Sequence, residues 1–268
     1  MISLRRTYAI VLRQFYLMRG SIARILPLFA WAAIDIVLWG FFTKYLNGAT
    51  STGFDFVPAL LGAVLFWDFF IRVAHGVSTA FLEDVWSRNF LNMFATPIST
   101  PEYVSGLVLT SIFTSAIGLV VMVALATVAF GLSFLAYGVM VVPFVGVLFL
   151  FGIAIGVMAS ALVLRLGPAA EWFVWPIPAL ISPFVGVFYP VTTLPGWMQI
   201  VSRVLPPSYV FESMRGVILG RDASGTALGI AGVLAAGYVL LAVYGFAKVY
   251  QSAVRTGLIA RYSAETTS

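Results

Sequence analysis

Cysteine is absent from this 268-residue chain, and only 9% of its residues are Asp, Glu, Lys or Arg. Without cysteine the chain has no disulfides, thiolate metal sites or cysteine nucleophiles. A soluble domain carries about a quarter charged residues, whereas this chain is 61% hydrophobic. A water-soluble fold could not bury that much apolar surface, so lipid must be the solvent for most of the chain.

Lysine is nearly absent as well, which bears on nucleotide chemistry. The chain has only Lys44, in TKY, and Lys248, in AKV. A phosphate-binding loop needs G-x-x-x-x-G-K followed by Ser or Thr, because backbone amides and the lysine must meet the phosphates. Neither lysine has that context. We therefore expect no ATPase activity, no bound cofactor and no metal site in this chain.

Six apolar segments predict an all-α integral membrane protein. Each offers roughly the 20 residues that cross a hydrocarbon core of ~30 Å. The third and fourth are separated by only a few residues, which predicts a tight helical hairpin. A single transmembrane domain, 25–268, would follow an N-terminal helix within 1–24. The predicted spans are about 25–46, 56–80, 101–130, 134–163, 170–189 and 226–250.

The N-terminal residues 3–19 have the pattern of an amphipathic helix. Apolar side chains recur at helical spacing, with Arg6 and Arg13 roughly opposite them. A basic amphipathic helix of this kind lies in the membrane interface rather than crossing it. The apolar face comprises Leu4, Tyr8, Val11, Leu12, Phe15 and Met18.

Basic residues predict the orientation. With both termini in the cytoplasm, most of the 15 basic residues fall on the cytoplasmic side. They are scattered at segment ends and form no stripe, which argues against a nucleic-acid partner. The far side would hold Lys44, Arg203, Arg215 and Arg221.

The stretch FLEDVWSRNFLNMF, 81–94, is a charged amphipathic pattern between two spans. Its polar face includes an Asp84–Arg88 pair at i,i+4 spacing. One interpretation is a helix resting on lipid headgroups. The other is a docking helix for a cytoplasmic partner, which we favour because an acidic pair suits an anionic leaflet poorly.

A proline-rich segment, 188–222, lies on the predicted outer side. Three prolines divide it into two short helices near 195–205 and 208–219, with Ser208 as N-cap and Gly220 as stop. We expect two half-helices that re-enter the outer leaflet. Outer-gate candidates, with a solvated rim as the alternative, are Trp197, Tyr209, Glu212 and Arg215.

Three charged residues, Asp35, Asp68 and Arg72, fall inside predicted spans, where charge is costly and usually paired. Asp68 and Arg72 are one helical turn apart, and Asp35 lies at a similar depth on the neighbouring span. The favoured interpretation is a structural triad that fixes helix packing. The alternative is a proton or ion relay, although the chain has only one histidine.

The layout resembles the membrane subunit of ABC-2 type exporters over nearly the whole chain. The resemblance rests on the interfacial first helix, six spans and the connector FLEDVWSRNFLNMFATPISTPEY. Its most specific part is FYPVTTLPGWMQIVSRVLPPSYVFESMRGVIL, which is similar to that family's outer signature before the last span.

This resemblance implies a mechanism. The connector would be the coupling helix, with Glu83, Asp84, Arg88 and Asn92 facing a separate ATPase and with Trp86 and Phe90 as anchors. Arg6 and Arg13 on the first helix would also contact the ATPase.

The resemblance also implies an assembly and a location. Two copies of the chain would form the pathway in the cell (inner) membrane, and two ATPase subunits would bind ATP and Mg. The exported substrate would be amphipathic: a lipid-linked glycan, a lipid or a drug. The rival hypothesis is an ion-coupled secondary transporter or channel that uses Asp35, Asp68 and Arg72.

Overall fold

The computed structural model describes residues 3–49, 55–87, 93 and 96–257, apart from the side chains of residues 22–25, 27, 28 and 168. These residues are mostly helical and contain no strand. The α-helices among them are α1 Leu4–Arg19, α2 Ile22–Ala49, α3 Gly62–Trp86, α4 Thr100–Phe130, α5 Val141–Leu166, α6 Glu171–Val174, α7 Ile177–Val185, α8 Gly196–Ser202, α9 Pro206–Ile218 and α10 Gly225–Arg255.

Five helical stretches of the described residues are long and apolar enough to cross a membrane. They correspond to the first four predicted spans and the last one. A π-helical turn, Val57–Leu61, extends α3 at its start, and a 3₁₀ segment, Phe134–Met140, precedes α5. The stretches are Phe29–Ala49, Val57–Trp86, Thr100–Phe130, Phe134–Leu166 and Gly225–Arg255.

The predicted fifth span, 170–189, is not one continuous helix. It consists of α6 and α7, which have four and nine residues and are separated by a turn at Trp175 and Pro176. Prolines at 176 and 178 supply no backbone N–H, so the hydrogen-bond ladder breaks there. The backbone stays right-handed helical at Trp175 and Pro176. The span was predicted from its apolar residues alone, without regard to the backbone N–H donors that the prolines lack.

Helix α5 is the centre of the bundle. It packs against α3, α9 and α10, while α3 lies between α4 and α5. The predicted hairpin of the third and fourth spans is therefore wrong, although only residues 131–133 separate α4 from the 3₁₀ segment. Gly131 and Gly138 both have positive φ, 69° and 55°. These left-handed turns redirect the chain, so that α5 runs beside α3.

Glycines let α3 and α5 approach closely. A Cβ added at Gly156 would lie 2.6 Å from the backbone oxygen of Ala74, and one at Gly152 would lie 2.8 Å from the side chain of Val73. Small residues have this role in membrane helix pairs, because packing rather than water exclusion drives helix association in lipid. The outward faces of the spans expose large apolar side chains, including Trp31, Phe41, Val128, Val233 and Leu240.

The contact at Gly156 predicts a stability effect. We expect Gly156→Ala to cost about 1–3 kcal/mol, because the new methyl overlaps backbone that cannot move away. Gly146→Ala on the same helix is the control, since nothing lies within 4 Å of its added Cβ. Thermal unfolding in detergent should show a lower Tm for Gly156→Ala alone. Equal Tm values for the two variants would contradict this account of the packing.

Candidate functional site

Helix α1 binds where α3 ends and α4 begins; we call this end of the bundle the α1 side and the opposite end the far side. Ile10 is buried against Gly106 of α4, where an added Cβ would lie 2.6 Å from its side chain. Gln14 donates from Nε2 to the carbonyl of Ala80, 3.1 Å away. The first helix therefore uses polar as well as apolar residues to bind the bundle, while Leu4 is exposed on its outward face.

A buried carboxylate joins three helices at this end. Asp84 of α3 is fully buried; it forms an ion pair with Arg13 of α1 and accepts a hydrogen bond of 2.7 Å from the Tyr103 hydroxyl of α4. Tyr103 is also fully buried. The bonds made by one carboxylate thus fix the positions of α1, α3 and α4. Arg13, Asp84 and Tyr103 form what we call the α1 junction.

A second carboxylate fixes the start of α4. Glu102 is 1% exposed and forms the capping box of that helix, accepting from the backbone N of Ser99 at 2.8 Å. Its other oxygen accepts from the backbone N of Ser3 at 2.7 Å, and Arg6 lies 3.5 Å from the first oxygen. Arg6 also donates to the carbonyl of Pro97. The beginning of α1 is therefore tied to the cap of α4.

These contacts correct part of the predicted coupling helix. Residues 81–86 continue α3 and do not begin a separate helix. Asp84 pairs with Arg13, 71 positions away in sequence, and its burial keeps it from the surface. The structure thus places the Asp84 carboxylate inside the chain, while Arg13, its ion-pair partner, stays 24% exposed. Arg88, Phe90 and Asn92 lie outside the described residues.

The surface beside the α1 junction is formed by the last turn of α3. Trp86 is 51% exposed, Ser87 is exposed and Glu83 is half-buried. The indole nitrogen of Trp86 donates to Glu171 at 2.6 Å, which links the end of α3 to the start of α6. A partner bound here would therefore touch both α3 and the broken fifth segment.

The predicted intramembrane charges are half-buried residues of α2 and α3. Asp68 and Arg72 lie on one face of α3, and Asp35 of α2 and Arg72 both interact electrostatically with Asp68. The Arg72 side chain packs on Gly118 of α4, where a Cβ would lie 2.5 Å from its Cδ. The sequence analysis did not predict that α4 packs on Arg72. Small residues at helical spacing in α4, Ser111, Ser115 and Gly118, could have indicated this contact.

On the far side, the gate candidates mostly hold the short helices together. Arg215 donates to the Gly186 carbonyl at 2.7 Å and pairs with Glu212 at 2.7 Å. Glu212 also accepts from the backbone N of Val191 at 2.7 Å. Tyr209 donates to the carbonyl of Arg203, and Trp197 is exposed and meets Phe184 edge to face.

The short far-side helices differ slightly from their predicted bounds. The second of them, α9, begins at Pro206 and not at 208, because proline is favoured in the first turn of a helix. Ser208 is therefore inside α9, and its hydroxyl donates to the carbonyl of Ser202 at 2.6 Å. Gly220 follows the helix with φ 73°, as a stop signal requires.

Residues 5–219 match the family model described as ABC-2 type transporter. The chain belongs to this family. The match covers both the α1 junction and the short far-side helices, which lie in two of the regions on which the sequence resemblance rested. No curated protein matches the chain.

Membership of the ABC-2 family makes this chain a permease component of a transporter and a multi-pass membrane protein. The permease component is not the ATPase, which agrees with the lack of a phosphate-binding loop. Among the described residues, no group of His, Cys, Asp or Glu could hold a metal ion.

The α1 junction predicts a large stability effect. Asp84→Asn should destabilise the ABC-2 permease by about 1.5–3 kcal/mol, because the buried carboxylate loses its charge-assisted bond to the partly exposed Arg13. Arg5→Gln, on the exposed face of the same α1, should change stability by less than about 0.5 kcal/mol. Thermal unfolding of the purified variants measures both effects. If Asp84→Asn unfolds like Arg5→Gln, the junction does not hold the three helices together.

Proposed function

We propose that the chain is the permease subunit of an ATP-driven ABC exporter, in which two copies pair with two separate ATPase subunits. The observation that carries this proposal is the α1 junction. The bonds of one buried carboxylate tie the helix α1, the end of the second span and the start of the third into one unit. An exposed surface for docking lies directly beside that unit.

The junction suits force transmission for a mechanical reason. Helices that share a buried carboxylate cannot separate without leaving a charge unpaired in a desolvated site, so they move together. The continuous helical stretch Val57–Trp86 is about 45 Å long at ~1.5 Å per residue. A push at Trp86 would therefore reach the far side through one stiff element that also packs on α5.

The docking surface would consist of Glu83, Trp86 and the residues that follow them, with Arg88, Phe90 and Asn92 as expected contacts. Asp84 and Arg13 would act from within by holding α3 in place under the ATPase. ATP and Mg would bind on that partner. Closure of the two ATPases around ATP would displace the α1 junctions of both copies.

The pathway would run between two copies of the chain in the cell (inner) membrane, toward the far side as the exit. The exposed apolar faces of the spans offer surface for a second copy and for lipid. The substrate would be amphipathic, a lipid-linked glycan, a lipid or a drug. It would leave past α8 and α9, with Trp197, Tyr209, Glu212 and Arg215 at the outlet.

An ion-coupled secondary transporter or channel is the second candidate. It is favoured by the charged residues in the membrane, where Asp68 Oδ2 is buried and has no hydrogen-bond partner in the described part of the chain. Such a transporter would follow an ion gradient and need no ATPase. Transport by the purified chain in vesicles without ATP would support it and would contradict the exporter.

Trp86 provides a direct test of coupling. We expect Trp86→Ala to reduce the ATPase stimulation of the assembled complex at least fivefold, because an exposed anchor is lost while the buried junction remains. Leu135→Ala, at a residue 88% exposed near the far side, is the control and should leave stimulation unchanged. Thermal unfolding must be the same for both variants. Normal stimulation in Trp86→Ala would remove this surface from the docking role.

The absence of cysteine provides a test of orientation. Ser87→Cys and Thr192→Cys each introduce a single thiol at an exposed position on opposite sides of the bundle. A membrane-impermeant maleimide should label Thr192→Cys in whole cells and Ser87→Cys only after the cells are opened. The reverse pattern would place the α1 side outside, where no ATPase subunit could reach it.

A further inference from the structure

A cavity of about 430 Å³ lies on the far side, where α2 ends, the π-helical turn of α3 begins and α4 ends. We call it the α2–α4 cavity. Its lining includes Lys44 and Asn47 of α2, Asp55 just before the turn, and Phe130 and Gly131 at the end of α4. Sites for small ligands commonly have volumes of about 300–1,000 Å³. The α1 junction and the gate candidates contribute nothing to this lining, so the cavity is a feature of its own.

Hydrogen bonds hold the acidic side of the cavity in place. Asp55 Oδ1 accepts from Asn47 Nδ2 and from the backbone N of Val57, both at 3.0 Å. Asn47 Oδ1 in turn accepts from the backbone N of Phe56 at 2.9 Å. These bonds join the end of α2 to the start of the π-helical turn. They use only one oxygen of the carboxylate, so Asp55 Oδ2 can still accept a hydrogen bond from a ligand.

Lys44 brings the opposite charge to the same cavity. It is exposed, and the described part of the chain offers it neither an ion-pair partner nor a hydrogen-bond partner. Lys44 and Asp55 therefore line one cavity without pairing with each other. An ammonium and a carboxylate in this arrangement can each form a charge-assisted bond with a group of opposite sign. A zwitterionic ligand would satisfy both and leave no net charge.

The end of α4 favours a primary ammonium as the cationic group. Gly131 closes this helix with φ 69°, and its N–H donates to the Thr127 carbonyl at 3.0 Å. The carbonyls of Ala129 and Phe130 accept no backbone bond within the described chain, and both residues line the cavity. Unpaired carbonyls at a helix end attract cations. A primary ammonium carries three N–H donors for such acceptors, whereas a trimethylammonium carries none.

The surroundings of the cavity indicate a lipid rather than a soluble zwitterion. Two stretches long and apolar enough to cross a membrane, Phe29–Ala49 and Thr100–Phe130, both end at the cavity. The ring of Phe130 meets Phe41 edge to face at 5.4 Å, and Phe41 is 62% exposed. Tyr45 is also exposed, and tyrosine is typical of the headgroup level. Charged lining and exposed apolar surface thus adjoin, as the headgroup and chains of a phospholipid do.

We propose that the α2–α4 cavity binds the headgroup of phosphatidylethanolamine. The phosphate would bind Lys44, and the primary ammonium would donate to Asp55 Oδ2 and to acceptors at the end of α4. The acyl chains would lie along Phe41 and Phe130. Phosphatidylcholine lacks the N–H donors, and phosphatidylglycerol lacks the cation. The assignment to the outer leaflet rests on the proposed function, whereas the binding itself requires no ATPase subunit.

The test measures lipid binding to the purified full-length chain in detergent by native mass spectrometry. The probes are the dioleoyl forms of phosphatidylethanolamine, phosphatidylcholine and phosphatidylglycerol, which differ only in the headgroup. We expect the apparent Kd of phosphatidylethanolamine to be at least fivefold lower than that of either other lipid. If phosphatidylcholine or phosphatidylglycerol binds as tightly, the proposal is overturned.

A soluble probe distinguishes the lipid from its headgroup alone. Glycerophosphoethanolamine has the same phosphate and ammonium but no acyl chains. It should compete for the site at least tenfold more weakly than the lipid, because it cannot contact the apolar surface beside the cavity. Equal competition would mean that the ligand is a soluble zwitterion, and the assignment to a lipid would then be wrong.

Asp55→Asn tests the recognition of the ammonium. Asparagine keeps an acceptor for the Val57 N–H and removes the charge, so the preference for phosphatidylethanolamine over phosphatidylcholine should fall below twofold. Asp222→Asn removes an exposed carboxylate that does not line the cavity and should keep the full preference. A full preference in Asp55→Asn would show that this carboxylate does not bind the ammonium.

Lys44→Gln tests the recognition of the phosphate, and it serves even if Asp55→Asn does not fold. Lys44 is exposed and unpaired in the described chain, so the variant should keep its Tm. Its binding of phosphatidylethanolamine should weaken at least fivefold. Lys248→Gln, at the other lysine of the chain, is the control and should bind normally. Unchanged binding by Lys44→Gln would contradict the site.

The two proposals fail separately. Normal ATPase coupling in a chain without any preference among the three lipids would contradict the lipid site alone. Loss of coupling, with the preference for phosphatidylethanolamine intact, would contradict the proposed function alone.

Discussion

The carboxylate of Asp84 is the constraint on which the α1 side of this permease depends. It is removed from water at the meeting point of three helices, and the two side chains that compensate it come from the other two. Loss of Arg13 or Tyr103 would leave one oxygen of the buried Asp84 carboxylate without its bonding partner. The first helix, which could otherwise lie freely in the membrane interface, is therefore part of the same rigid unit as the second and third spans.

The rest of the bundle follows from how closely helices can approach in lipid. Apolar burial does not drive association there, because lipid is as apolar as the helix surfaces. Glycines at 152 and 156 let α5 lie against α3, and α5 in turn carries α9 and α10. In the proposed exporter, displacement at the α1 junction would pass along α3 to α5 and to the short helices at the far side.

Sequence patterns predicted what depends on local periodicity. The structure confirms the N-terminal amphipathic helix and five long apolar helices, because hydropathy and helical spacing determine them. The ion pair between Asp84 and Arg13 was not predicted from the sequence. Helical spacing pointed to Arg88, four residues from Asp84, whereas Arg13 is 71 positions away. The break at Pro176 depends on missing backbone N–H donors. The position of α3 between α4 and α5 depends on glycines with positive φ. A count of apolar residues detects neither.

The scarcity of charge makes the use of each carboxylate informative. On the α1 side Asp84, Glu102 and Glu171 all have bonding partners within the chain, and on the far side Glu212 has two. These groups assemble the fold and have little capacity left for a ligand. The oxygen Oδ2 of Asp68 differs, because it is buried within a span and has no partner among the described residues.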